Sequence, residues 1–115
     1  MDVKTGDVFL AHNKYMRPPK PKFHLCICKD KYFLINTKAS HYNQLVTPND
    51  CSLLDHNSYL NLTTVRTEPL RDFKIIQKEE LSKCCIEQII KKLEISVSIP
   101  PIQKNEIIEI LKTCL

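Results

Sequence analysis

Residues 14–40 read KYMRPPKPKFHLCICKDKYFLINTKAS, and their pattern sets the architecture. The first part is a basic loop in which Lys14, Arg17, Lys20 and Lys22 stand among prolines with no acid. Proline fixes φ and removes a backbone donor, so residues 13–22 take an extended, polyproline-like path. Residues 23–28 then alternate between two faces. Phe23, Leu25 and Ile27 share one face, and His24, Cys26 and Cys28 the other. Both faces are largely apolar, which marks a central, buried strand. Lys29, Asp30 and Lys31 make a short turn, and residues 32–37 return as its partner.

Upstream, Gly6 is the single glycine and precedes a first strand at residues 8–11. Any other turn that needs positive φ must use Asn or Asp. Downstream, residues 44–47 form a short strand before Pro48, and residues 55–58 a turn. Residues 58–65 are rich in β-formers and alternate cleanly, so a strand is expected over all eight. Residues 73–76 make one more. The period changes at Gln77. Leu81, Cys85, Ile89, Ile90 and Leu93 fall at helical spacing, predicting a helix over 78–94 with Glu79 and Glu80 at its positive end. Pro101 starts a second helix with Ile107, Ile108 and Leu111 inward. The expected fold is mainly β with C-terminal helices (α+β). Residues 1–115 form one domain: a small barrel over 1–76 and a helical extension over 77–115.

A chain of 115 residues that is 43% hydrophobic and 26% charged can bury one core. No apolar run approaches the roughly 18 residues of a membrane helix, and no secretory leader is visible. A cytoplasmic protein without a membrane partner is therefore expected. Six cysteines fit reduced thiols there; Cys84 and Cys85 are adjacent on a helix, and Cys26 and Cys28 share a strand, so neither pair suits a bridge. The net charge of +4 lies wholly in residues 1–50, which hold eight Lys/Arg against four acids, while residues 51–115 hold nine of each. That asymmetry reads either as a nucleic-acid footprint or as a solvated face.

In their order, these motifs resemble the MazF/PemK-like family. Gly6 to Leu10 is similar to its opening strand, Arg17 to Cys28 to its basic loop and central strand, and Asn36-Thr37 to its strand bearing a small hydroxyl residue. Asp55 to Leu62, followed by Val65-Arg66-Thr67, is similar to its Asp-Ser…Arg-Thr passage. The resemblance spans residues 6–94. It implies an SH3-like β-barrel, a homodimer, and the toxin of a toxin–antitoxin pair: an endoribonuclease cleaving single-stranded RNA without a metal or cofactor. The chain departs from the pattern at Pro21-Lys22, where many members carry Arg-Pro, and at Glu68-Pro69, after Arg-Thr.

Such cleavage needs a base for the 2′-OH proton, a cation for the phosphate and an acid for the leaving 5′-oxygen. Arg66 is expected as the phosphate cation, against the reading of a structural ion pair at a strand end. Arg17, Lys20 and Lys22 would track RNA phosphates, against a solvated loop. Thr37 would hydrogen-bond the scissile phosphate, against an ordinary strand-end threonine. His12 or His41 would supply proton transfer, and His24 would sit in the core. A zinc reading of His24, Cys26 and Cys28 is set aside, because strand neighbours on one face lie about 6.5–7 Å apart with no second cluster. The four tyrosines, Tyr15, Tyr32, Tyr42 and Tyr59, stack on bases or pack. Beside the toxin stand two alternatives: a non-catalytic SH3-like module binding RNA or a protein, and an inhibitor or immunity-type protein docking through its helical tail.

Overall fold

The computed structural model describes residues 2–14, 20–38 and 43–115. It contains seven strands and two helices in the order β1 (Asp7–Asn13), β2 (Lys22–Cys28), β3 (Lys31–Asn36), β4 (Asn43–Val46), β5 (Ser58–Asn61), β6 (Arg66–Thr67), β7 (Phe73–Glu80), α1 (Lys83–Ile95) and α2 (Pro101–Lys112). The strands make one antiparallel sheet ordered β4-β5-β3-β2-β1-β7, with β6 also on β3.

β2 and β3 occupy the middle, as the alternation of residues 23–28 requires. Their turn uses Asp30 at φ 65°, one of two positive-φ residues described; the other is Gly6 at 87°. Asp30 then clamps a later segment. Its carboxylate accepts from the Leu70 amide at 2.8 Å and its carbonyl from the Glu68 amide at 3.1 Å. A register shift between Cys26 and Cys28 moves Cys28 off the face it was expected to share with His24 and Cys26, and it packs on the helix side instead.

The sheet buries both faces. On one, Val8, Leu25, Ile27, Phe33, Ile35 and Leu60 meet Ile86, Ile89 and Leu93 of α1 and Ile107, Ile108 and Leu111 of α2. On the other, Phe9, Tyr32 and Phe73 enclose His24, whose ring stacks on Phe9 at 4.8 Å. All six cysteines are free thiols, and burial pushes those of Cys26 and Cys85 up to about 12.

Three expectations need correction. The sheet is not closed: among the described residues its edge strands β4 and β7 do not pair, and the helices cover the face that closure would have sealed. The strand expected over 58–65 stops at Asn61, whose side-chain oxygen accepts from the Thr63 amide at 2.9 Å and hydroxyl at 2.6 Å, turning the chain locally. The helix expected from residue 78 begins at Lys83. β7 continues to Glu80 because its backbone pairs along the whole of β1, and Ser82 caps the helix by accepting from the Cys85 amide at 3.1 Å.

Candidate functional site

β3 separates two polar sites by its length. At its start, Lys31 and Tyr32 pair with Thr67 and Arg66; at its end, Ile35 and Asn36 pair with Leu60 and Tyr59. Four residues of strand span about 13 Å. Arg66 thus lies at the hairpin-tip end of the sheet, and Thr37 just past the opposite end.

A groove of about 570 Å³ opens at that opposite end. Its floor is apolar, from Phe23, Ile35 and Leu54. Its rim carries Lys20, Lys22 and Lys38, together with Asn36, Thr37, Asn43, Asp55, His56 and Ser58. The sequence places these groups for simple reasons. Lys20 stands just before β2 and Lys22 opens it, and Asn36-Thr37-Lys38 leaves the end of β3. Asn43 is fixed at both polar groups: its side-chain amide donates to the Lys38 carbonyl at 3.4 Å, and its own carbonyl accepts from Lys92 of α1.

The wall bearing Asp55 and His56 belongs to the β4–β5 connection, which two carboxylates hold. Asp50 accepts from the amide and hydroxyl of Thr47, each at 3.0 Å, and from the Ser82 hydroxyl at 2.8 Å. Burial raises its carboxyl, but those hydrogen bonds outweigh burial and keep it below the usual range. Glu79 accepts from the Ser52 hydroxyl at 2.6 Å and the Leu53 amide at 3.1 Å. It was expected at a helix start and instead reaches this loop from β7. Within the wall, His56 Nδ1 lies 2.5 Å from an Asp55 carboxylate oxygen.

The expected site residues therefore divide. Lys20, Lys22 and Thr37 share the groove. Arg66 lies outside it and is bound to Glu68, with Nε 3.0 Å from the carboxylate and a closer contact from a terminal nitrogen. The other Glu68 oxygen accepts from the Asn13 side chain at 2.6 Å, and the Glu68 carbonyl accepts from the buried Tyr32 hydroxyl. Arg66 thus stands in the ion pair that was its alternative reading, and the groove it was expected to share with the basic loop does not include it. His12 is exposed on β1 opposite Lys74, away from the groove lining. Arg17 and His41 lie outside the described residues, as do Tyr15 and Tyr42. His56 was read only as part of a turn. The signal that would have raised it was the adjacency of a carboxylate and an imidazole in a loop beside a basic segment.

No protein-family model matches the chain, and no curated protein matches it. Among the described residues no helix is long and apolar enough to cross a membrane, and no cluster of three or more His, Cys, Asp or Glu side chains is arranged to hold a metal.

Proposed function

We propose that the protein is a MazF/PemK-like endoribonuclease, built on an SH3-like plan, that takes single-stranded RNA into the groove beyond β3 and cleaves it without a metal. The observation that carries this reading is the gathering of Lys20, Lys22, Lys38 and Thr37 around one apolar-floored groove. Three ammonium groups attract a phosphodiester backbone, the threonine hydroxyl donates to a phosphoryl oxygen, and Phe23, Ile35 and Leu54 offer a base an apolar bed. The SH3-like plan draws support from the strand order, in which the first strand lies between the second and the last. A homodimer, a cognate antitoxin and a cytoplasmic setting belong to the same reading.

A second reading keeps RNA in the groove without cleavage. The Arg66–Glu68 pair favours it, because the arginine expected at the phosphate is already engaged elsewhere. For the inhibitor-type reading, Ile107, Ile108 and Leu111 of α2 are buried within the chain, which leaves the exposed Ile95, Val97 and Ile102 around the α1–α2 junction as its apolar docking surface.

The test is binding and cleavage of labelled single-stranded RNA in EDTA. Replacing Lys20 and Lys22 together by Glu is expected to weaken binding at least about tenfold in low salt and to reduce the salt slope by about 1.4, two phosphate contacts on a single strand. Wild-type protein that binds no RNA ends the proposal. Binding without cleavage leaves the second reading.

A further inference from the structure

We infer that His56, held by Asp55, is the proton-transfer group of the groove and takes the proton from the ribose 2′-OH of bound RNA. The inference rests on the reading of the groove as an RNA cleft, and adds a catalytic residue that the motif order did not supply.

The contact with Asp55 favours one form of the ring. An ionised carboxylate only accepts hydrogen bonds, so the 2.5 Å contact with Asp55, made between side chains 60% and 90% exposed, favours the tautomer with the hydrogen on Nδ1 of His56. In the neutral ring the lone pair then sits on Nε2, the form a general base requires. Among the described residues Nε2 has no hydrogen-bond partner, while the side chain lines the groove with Thr37 and the lysines. The backbone beneath it is tied down: the His56 carbonyl accepts from the Ser58 hydroxyl at 3.3 Å, and Asp50 and Glu79 anchor the preceding loop. The other charged residues lining the groove are Asp55, beside the ring, and Lys20, Lys22 and Lys38.

The step balances within the site. Nε2 takes the 2′-OH proton as the 2′-oxygen bonds to the adjacent phosphorus. The bond from phosphorus to the 5′-oxygen breaks, and a groove ammonium protonates that oxygen. Solvent then carries the imidazolium proton back to the amine. The products are a 2′,3′-cyclic phosphate and a 5′-hydroxyl, and nothing else is consumed.

Single-turnover cleavage of a labelled single-stranded RNA in EDTA, beside binding of the same RNA, tests this. His56→Ala is expected to slow cleavage about 100-fold while RNA affinity changes less than about threefold. Asp55→Ala is expected to slow cleavage about tenfold and to alter the pH–rate profile, as loss of a positioning carboxylate would. RNA with 2′-deoxyribose at the cleaved position is expected to bind and stay intact. Full-rate cleavage by His56→Ala, or cutting of the deoxy-substituted RNA, overturns the role of His56 and leaves the RNA cleft standing. Wild-type protein that binds RNA without cutting it also overturns that role. Protein that does not bind RNA removes the cleft and the role together.

Discussion

His24 is sealed among Phe9, Tyr32 and Phe73, and among the described residues neither ring nitrogen has a hydrogen-bond partner. Burial dominates and pushes its imidazole down to about 4, against weaker opposing pulls from the Phe9 and Lys22 backbone. The unfolded chain takes up this proton near pH 6.5, whereas the folded chain refuses it until about pH 4. Stability is therefore full above about 6.5 and falls through that window at up to about 1.4 kcal/mol per pH unit, reaching about 3 kcal/mol. His24→Phe keeps the stacked ring and removes the unpaired nitrogens. Urea midpoints at pH 7 and pH 5 should show it more stable by about 1 kcal/mol at neutral pH and less sensitive to acid than wild type. Gly6 is a second such position. A Cβ there meets Cys114 Sγ at 2.9 Å, on a backbone at φ 87°. Gly6→Ala should cost about 1–2 kcal/mol from the left-handed backbone alone. Adding Cys114→Ala should recover only the steric part, as thermal melts would report. The burial of His24 was legible in the alternation of residues 23–28. The move of Cys28 to the helix side was not, because a bulge leaves no mark in side-chain periodicity.

At the scale of elements, backbone pairing overrode local pattern. Residues 77–80 fit the start of a helix by composition, yet they complete the β1–β7 ladder. Apolar spacing places a helix but not its first residue; the cap does that, and Ser82 went unread. Its hydroxyl both accepts from Cys85 and donates to Asp50. Ser82→Ala should therefore lower stability by about 1–2 kcal/mol, at the upper end for a cap, with the loss visible in chemical denaturation. Asn61 shows the converse. A β-rich run reads as one strand until a side chain that bonds its own backbone ends it. Arg66 belongs here also: it joins β6 to the start of β3 through Glu68. Arg66→Ala should lower stability by about 1–3 kcal/mol by leaving Glu68 without its cation and, on the proposed reading of the groove, leave RNA affinity unchanged.

For the molecule as a whole, the α+β class, the central β2–β3 pair and the inward face of α2 were all legible, because each is a repeated apolar signal. The open sheet was not, since closure depends on whether β4 meets β7 or helices intervene. The site was legible in half: Lys20, Lys22 and Thr37 are near one another because β2 and β3 are paired neighbours. Arg66 lies outside the groove and His56 lines it because which end of a strand a later loop reaches is decided by contacts far apart in sequence. Burying Ile107, Ile108 and Leu111 contributes about 1.5–3 kcal/mol each, a sum comparable to the whole stability of a small domain. A chain ending at residue 100 should accordingly lack cooperative unfolding by circular dichroism.

The last residues of the chain rest on its first turn, with Cys114 Sγ 3.5 Å from the Thr5 carbonyl and the Leu81 amide bonded to the Gly6 carbonyl. During synthesis, then, β1 can pair early with β2 but waits for β7, sixty or more positions on, and part of the sheet face stays uncovered until α2 has been made. Premature termination anywhere in that helix yields not a weakened molecule but an unfinished one, open to proteolysis before it can act.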